Sequence, residues 1–478
     1  MPKKYHIATK PAPPRLHPVG KYATVEFRED CAGSCRKCVK KKCVYNIFND
    51  NYYHMSHMEN PEYLYTCNSC FRCVQECTKG IFSRVVNPEY RFLGDDYWTP
   101  SIIHRTWYQA HTGSIPVSGA GYRGPFVGEG FDSMWTDMSE IVRPTRDGIH
   151  GREYINTMIE LSRRPMGLRF NKDMSLATDV PPILEAPFPM LFKAHDEFGV
   201  GTDNIRLAMA KAASCLDTFL FIDPAHVTGE MKQYVRNLIP IFTLENWKDH
   251  TDLVKACQMV QIPSGSGVKD VVKQLRAIKN DLFIAVSAPL DSNAVRTAID
   301  LLDADIDTIH YIASHHGKET NVENPRYLRD AIRDVHVALV ENAARLKVNL
   351  LFSGGIAMAE HVVKSIICGA DGVVLDATLL VAMECRLCGR CKDGLSCTGK
   401  LEDVDPEYGK NRITNLMAAW RNQILEILGA MGIREARRLR GEVGRSMWFE
   451  NLEKENFGPL FGKRRSSDKH LTTMWENI

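Results

Sequence analysis

Short apolar runs alternate with amphipathic stretches along the chain from about residue 180 to residue 376. Each run is rich in β-branched or aromatic residues, and the stretch after it repeats its apolar residues at helical spacing. Strands that are apolar on both faces are typical of a parallel sheet covered by helices. The eight candidate strands read PPILEAPFP, TFLFIDP, IPIFTL, CQMVQIP, LFIAVSAP, TIHYIAS, VNLLFSGG and GVVLDA.

Eight strand–helix units are the number that closes a TIM barrel, so the pattern predicts an α/β fold with a (βα)8 barrel over residues 181–400. A doubly wound open sheet is the alternative. The end of the seventh strand favours the barrel, because Ser353, Gly354 and Gly355 stand there directly before a predicted helix. Glycines at that position let backbone amides approach an anion, and many barrels bind phosphate after strands seven and eight. The alternative is that these glycines only form a turn and bind no phosphate.

Three further segments surround the predicted barrel. Residues 1–90 are rich in cysteine, residues 91–180 are rich in glycine and proline, and residues 401–478 contain apolar residues at helical spacing followed by a polar tail. We predict a small α+β metal-binding domain, an irregular bridging segment and a helical extension that packs on the barrel.

The charge balance and the hydropathy narrow the function classes. The chain has 478 residues and a net charge of only +2, whereas a nucleic-acid-binding protein more often shows a basic excess. No stretch approaches the roughly 18–20 apolar residues that cross a bilayer, and we find no apolar signal region at the amino terminus. We therefore expect a cytoplasmic protein, in which 15 cysteines indicate metal binding rather than disulfides.

Eight of the cysteines form two closely spaced runs near the amino terminus. The first run contains Cys31, Cys35, Cys38 and Cys43, and the second contains Cys67, Cys70, Cys73 and Cys77. The second run has the spacing of bacterial ferredoxins, apart from Thr78 in place of the usual proline. The segment resembles a two-cluster [4Fe–4S] ferredoxin domain. That resemblance implies that three cysteines of each run share a cluster with the last cysteine of the other run. Zinc knuckles are the alternative.

A third run of cysteines follows the eighth strand after one short apolar stretch. It contains Cys385, Cys388, Cys391 and Cys397. Four thiols so close together form a local ligand set, which predicts a third [4Fe–4S] cluster, with zinc again as the alternative. Because the active sites of TIM barrels lie at the carboxyl ends of the strands, a cluster here is expected beside the barrel mouth.

Together these features resemble the FMN domain of glutamate synthases, in the archaeal-type form that carries its own ferredoxin domain. The resemblance rests on the cysteine runs and on the segment SGGIAMAEHVVKSIICGADGV at residues 353–373. It implies an oxidoreductase of the CH–NH2 donor class with FMN at the barrel mouth and electron transfer between FMN and the clusters. Its substrate would be 2-iminoglutarate, formed from 2-oxoglutarate and ammonia.

The resemblance also assigns the FMN phosphate to two places in the sequence. One is the loop Ser353–Gly355, and the other is the turn made by Gly369, Ala370, Asp371 and Gly372. It further implies that ammonia comes from solution, from a glutaminase or from another partner.

Several positions depart from the family. Its lysine on the fifth strand aligns with Ser287, and one of its phosphate-binding glycine pairs aligns with Leu375 and Asp376. A carboxylate at position 376 would disfavour a phosphate unless its side chain turns to a backbone amide. The candidate catalytic residues near the predicted mouth are therefore His315 and His316, with Ser287 as a weaker candidate.

Two main functions are consistent with this sequence. The first is an oxidoreductase that reduces its own substrate at the barrel mouth, by the glutamate synthase reaction or a related one. The second is an electron-transfer subunit of a larger redox complex, whose FMN only relays electrons. A scaffold that has lost its flavin is a third. For the first two we expect a hetero-oligomer with other redox subunits or ferredoxin, and neither nucleic acid nor a transmembrane segment.

Overall fold

The computed structural model describes residues 5–16, 19–26, 70–115, 130–136, 154–163, 169–177, 182–194 and 202–461. Its elements before the barrel are β1 (Tyr22–Glu26), α1 (Arg72–Glu76), β2 (Phe82–Val86), α2 (Pro88–Arg91), α3 (Pro100–Thr112), β3 (Met134–Thr136), β4 (Ile159–Glu160) and β5 (Glu185–Ala186). Strands β1 and β2 pair antiparallel, so the described part of the cysteine-rich segment contains a two-stranded ribbon.

Eight parallel strands form the main sheet. They are β6 (Met190–Lys193), β7 (Leu220–Ile222), β8 (Leu238–Pro240), β9 (Met259–Pro263), β10 (Phe283–Pro289), β11 (Thr308–Ile312), β12 (Asn349–Ser353) and β13 (Gly372–Leu375). Their order is β8-β7-β6-β13-β12-β11-β10-β9, and a parallel bridge between Ile241 and Gln261 joins the two edges. The sheet is therefore a closed barrel, which confirms the predicted TIM barrel and excludes the open sheet.

Helices follow the strands along the chain. They are α4 (Asp203–Cys215), α5 (Thr251–Ala256), α6 (Val268–Ile278), α7 (Ala294–Asp300), α8 (Leu328–Glu341), α9 (Ala359–Cys368) and α10 (Ala377–Ala382). After the barrel come α11 (Pro406–Ala430), β14 (Ser446–Trp448), α12 (Phe449–Leu452) and α13 (Gly458–Phe461). The long helix α11 begins where the Asp405 side chain accepts a hydrogen bond from the amide of Tyr408, with Pro406 at its first position.

The first barrel strand differs from the prediction. The segment PPILEAPFP was expected to be that strand, but only Glu185–Ala186 within it is extended, and it pairs antiparallel with β4. Prolines cannot donate to a sheet ladder, and Pro187 and Pro189 interrupt this segment. The barrel strand β6 accordingly begins at Met190, directly after the last proline.

Side chains alternate between two apolar layers. One layer fills the barrel interior and includes Leu191, Phe221, Met259, Leu351 and Val374. The residues between them face the surrounding helices, and this outer core continues into α3 and α11. The predicted helical extension thus packs on the barrel. Within the described part of the chain, no helix is both long enough and apolar enough to cross a membrane.

Candidate functional site

The loop after β12 lies at the barrel mouth, where the carboxyl ends of the strands meet. Gly354 and Gly355 have φ angles of +95° and +68°, which L side chains rarely adopt. A Cβ on Gly354 would lie 2.5 Å from the carbonyl oxygen of Ala313, and one on Gly355 would lie 2.2 Å from the amide nitrogen of Gly317. Close packing on the loop after β11 therefore requires both glycines, whatever else the loop binds.

The hydroxyl of Ser353 belongs to a buried polar chain inside the barrel. Its Oγ lies 2.9 Å from Nε2 of His310, whose Nδ1 lies 2.8 Å from Oε1 of Gln261. Burial and then the charge of Lys193 lower the pKa of His310 to about 3, so the ring is neutral. A neutral ring that donates to Gln261 and accepts from Ser353 satisfies the whole chain. Sequence reasoning missed His310, although a histidine in an otherwise apolar strand was an available signal.

Two further polar residues share this upper part of the barrel interior. Ser287 is directly opposite His310 in the register of β10 and β11, and its Oγ lies 3.5 Å from the carbonyl oxygen of Ile262. Lys193 ends β6 on the same face of the strand as the interior residue Leu191. The predicted candidate Ser287 thus lies at the mouth end of the interior, together with the unpredicted Lys193 and His310.

The predicted histidines lie at the mouth, covered by residues of the bridging segment. Nε2 of His316 is 2.9 Å from Oδ2 of Asp95. The ring of His315 stacks on Trp98 with the centroids 5.3 Å apart, and its carbonyl oxygen accepts a hydrogen bond from the Trp98 indole. Burial raises the pKa of Asp95, but hydrogen bonds from the Trp98 amide, His316 and the Tyr97 amide outweigh it and lower the pKa.

Tyr97 lies over the glycine loop and donates its hydroxyl to the carbonyl oxygen of Gly355. Burial and then the negative charges of Asp132, Asp376 and Asp95 raise the pKa of Tyr97 well above its usual value, so the hydroxyl stays protonated. Asp376 itself turns to the backbone, because its Oδ1 accepts a hydrogen bond of 2.6 Å from the amide of the next residue. This is the orientation that the sequence analysis required for a phosphate nearby.

The second predicted phosphate-binding turn lies elsewhere. It consists of Gly369, Ala370, Asp371 and Gly372, and it precedes β13. Since β12 and β13 are parallel, this turn is at the amino end of the barrel, opposite the loop Ser353–Gly355. Asp371 is buried there and accepts hydrogen bonds from Arg345 at 2.7 Å and from the amide of Leu350 at 2.8 Å. The assignment of these four residues to the same phosphate site is therefore wrong.

The head of α9 offers a donor to an anion. His361 is 4% exposed, its Nδ1 accepts from the amide of Ala357 at 3.3 Å, and its Nε2 has no hydrogen-bond partner within the described residues. The carboxylate of Asp132 lies 3.7 Å from Nε2. Burial raises the pKa of Asp132, but His361 and Lys364 outweigh it and lower the pKa. A buried donor at the start of a helix, directly after a glycine loop, fits the phosphate of FMN.

The third cysteine run forms one loop after α10. Burial raises the pKa of Cys385 to about 12, and the thiols of Cys397, Cys388 and Cys391 add to this effect. Among the described residues, the group of three or more potential metal ligands within 4.8 Å of one another is Asp95, His315 and His316, and it includes none of these sulfurs. The choice between an iron–sulfur cluster and zinc at this loop stays a prediction.

A short stretch of the bridging segment touches both the cysteine loop and the mouth. The amide of Gly94 donates to the carbonyl oxygen of Arg386 at 2.9 Å, while Tyr97 and Trp98 contact the mouth loops. The loop is also tied to the amino-terminal segment, because Arg15 donates to Glu384 through both its amide and its side chain. The cysteine loop therefore lies on the mouth side of the barrel, as predicted.

The amino-terminal cysteines are described only in part. Cys31, Cys35, Cys38, Cys43 and Cys67 lie outside the described residues. Cys70, Cys73 and Cys77 flank or belong to α1, and the last two are half-buried against Ile81 and Phe82. The pairing of the two runs into two clusters stays a prediction.

Comparisons with known proteins agree with the resemblance. The family model "Conserved region in glutamate synthase" matches residues 240–434. The archaeal-type glutamate synthase [NADPH] of Dehalococcoides mccartyi is 25% identical over 87% of this chain and 93% of its own length. That of Thermotoga maritima is 26% identical over 89% of this chain and 94% of its own. The archaeal glutamate synthase [NADPH] of Archaeoglobus fulgidus is 24% identical over 91% and 96%.

Solved structures with a similar fold include flavin enzymes. A flavocytochrome b2 double mutant with sulfite bound has a TM-score of 0.45 and 13% identity over 77% of this chain and 87% of its own. A mandelate oxidase mutant with benzaldehyde has a TM-score of 0.42 and 16% identity over 65% and 86%. The family model matches part of the chain and the curated relatives extend over most of it at low identity, so this protein is similar to the glutamate synthases and consistent with a divergent member of that family.

Proposed function

We propose that this protein is an iron–sulfur flavoprotein that passes electrons between three [4Fe–4S] clusters and FMN at the barrel mouth. It is an oxidoreductase of the glutamate synthase family. The reaction that we propose is reduction of the imine formed from 2-oxoglutarate and ammonia. Two electrons and two protons convert this C=N bond to the CH–NH bond of glutamate, and the electrons enter through the clusters.

The observation that carries this proposal is the position of the third cysteine run. Four thiols lie in one loop that follows the last barrel strand, and Gly94 hydrogen-bonds to that loop at Arg386. Four residues further along, Trp98 stacks on His315 at the mouth. An electron carrier on the loop would therefore lie beside the place where TIM barrels perform their chemistry.

FMN would be held at its phosphate end by the glycine loop and the head of α9. The contributing groups are the backbone at Gly354 and Gly355 and the buried Nε2 of His361. When bound, FMN supplies the exchange between single electrons from the clusters and the electron pair that the imine needs.

The side chains at the mouth would shape the reaction around it. Tyr97 and Trp98 cover the mouth loops and exclude water from them. His316 is the candidate proton donor, and its hydrogen bond to Asp95 is the kind of contact that orients an imidazole. The interior His310 is neutral and is therefore assigned no acid role.

Iron and flavin analysis of anaerobically purified protein tests the cofactor assignment. Replacing Cys388 and Cys391 together by serine should remove about four iron atoms per chain, because the third cluster would lose two ligands. The matched control is Cys215→Ser, since Cys215 is an exposed free thiol outside the runs. Zinc in place of iron in the wild-type protein, or equal iron in the double variant, would contradict the proposal.

Glutamate formation from 2-oxoglutarate, ammonia and reduced ferredoxin tests the reaction. The serine at position 287, where the family has lysine, favours the electron-relay function as the second candidate. Protein that contains FMN and clusters, exchanges electrons with ferredoxin and forms no glutamate would support that second function.

A further inference from the structure

Lys193 is an inward-facing cation at the mouth end of the barrel. It is the last residue of β6, and alternation along the strand places it on the interior face shared with Leu191. Its positive charge lowers the pKa of the buried His310 ring, as expected for a side chain on that face. Among the described residues, the side chain of Lys193 forms neither an ion pair nor a hydrogen bond.

The carboxylates on the neighbouring strands are turned to other partners. Strand β6 lies between β7 and β13, and each of these is followed by an aspartate. Asp223 accepts a hydrogen bond of 2.8 Å from the amide of Ala225, and Asp376 accepts one of 2.6 Å from the amide of Ala377. Both therefore cap the turn or helix that follows them, and neither lies within 4.0 Å of the Lys193 ammonium.

Three uncharged polar groups also lie in the upper part of the barrel interior. They are the neutral ring of His310, the amide of Gln261 and the hydroxyl of Ser287, and all three residues are buried. A half-buried cation that forms no ion pair with the described residues is stabilised when a ligand supplies a negative charge. Neutral donors such as Ser287 and Gln261 suit the oxygens of such a ligand.

We propose that Lys193 is the anchor for a carboxylate of the substrate, an anionic 2-oxo acid bound at the mouth end of the barrel interior. This inference rests on the proposed function, since it names the residue that would hold the substrate of that reaction. The family has a lysine on the fifth strand where this chain has Ser287. Lys193, on the first barrel strand, would supply the positive charge that Ser287 lacks.

Calorimetric titration of 2-oxoglutarate into anaerobically purified holoprotein tests the anchor. Lys193→Met should raise the dissociation constant at least tenfold, because a charged hydrogen bond to the carboxylate is lost. Lys269→Met, on the outward face of α6, is the matched control and should leave binding unchanged. Asp376→Asn keeps the helix cap but removes a negative charge beside the site, so it should lower the dissociation constant about threefold.

The outcomes of this titration test the role of Lys193 separately from the proposed reaction. If Lys193→Met binds 2-oxoglutarate as the wild type does, or loses FMN in parallel with binding, Lys193 is not the anchor. The absence of 2-oxoglutarate binding to the wild-type protein would overturn it as well. If binding depends on Lys193 but no glutamate is formed, the anchor stands and the proposed reaction fails. Should Lys193→Met not fold, unchanged binding by Asp376→Asn would still count against the anchor.

Discussion

The charged side chains at the two ends of the barrel differ in whether they are paired. At the amino end, Asp371 is paired with Arg345 and Arg440, and all three side chains are largely buried. Asp307 is paired there with Arg163 and Arg276 in the same way. At the mouth end, Lys193 has no counterion among the described residues, and Nε2 of His361 has no acceptor.

We infer from this difference that the paired residues at the amino end serve stability and that the residues at the mouth serve function. Both paired aspartates also accept backbone hydrogen bonds, from Leu350 and from Ile284, so the amino end is a closed network that needs no ligand. The donors at the mouth that lack a partner among the described residues are available to a ligand. In TIM barrels the mouth is where catalysis occurs, and the opposite end serves stability. The following predictions test that division, from the largest expected effect to the smallest.

The largest effect is expected at the amino end. Asp371→Asn would leave Arg345 and Arg440 facing each other without a buried counterion, and breaking such a pair costs about 3–5 kcal/mol. Denaturant or thermal unfolding would measure the loss. The control is Asp303→Asn, since the exposed pair of Asp303 with Lys269 has an N–O distance of 3.8 Å and should matter little. If Asp371→Asn were as stable as the control, the ion pairs of Asp371 would not stabilise the amino end, and the contrast in charge pairing between the two ends would have no effect on stability.

The second effect concerns pH and His310. Its pKa falls from 6.5 to about 3 on folding, so the unfolded chain binds a proton that the folded chain does not once the pH drops below about 6.5. Stability contributed by this residue is therefore complete above pH 6.5 and is lost progressively as the pH falls toward 3. By pH 5 the loss is about 2 kcal/mol.

Unfolding midpoints at pH 7 and pH 5 would measure it. His310→Asn should be less stable than the wild type at pH 7 but should lose less on acidification. His6→Asn, at an exposed histidine, should follow the wild type at both values. An equal acid loss in all three proteins would show that His310 is not the neutral, buried group described above.

The sequence predicts the barrel well because its signal is local. Seven of the eight candidate strands match, since each is a continuous apolar run followed by a helix-period stretch. The first strand was displaced because Pro187 and Pro189 prevent a ladder within the predicted run. The cysteine runs and the glycine loop at Gly354 and Gly355 were also predicted from the sequence. The spacing of metal ligands and the position of paired glycines after a strand can be recognised without knowing the fold.

The missed residues depend on contacts that are distant in sequence. Asp95 and Trp98 belong to a segment without periodicity, and their partners are more than 200 positions away. Lys193 on β6 influences His310 on β11 only because both strands face the same barrel interior. The turn before β13 was misplaced because the resemblance grouped it with the glycine loop, although it precedes its strand and Asp371 serves the amino end.

The smallest effect is expected at the head of α9. Asp132 lies 3.7 Å from Nε2 of His361 and would compete with an FMN phosphate for the same donor. Asp132→Asn removes one negative charge from that place and should tighten FMN binding about threefold. His361→Asn removes the buried donor and should weaken it about tenfold.

Quenching of FMN fluorescence on binding to the flavin-free protein would measure both constants. Asp330→Asn is a suitable control, because this acid is paired with Arg329 on α8. If FMN bound equally to all variants, the phosphate would lie elsewhere and the glycine loop would be only a turn. Opposite shifts in Asp132→Asn and His361→Asn would instead show that the open donor at the mouth is kept for a ligand, in contrast to the closed ion pairs beneath it.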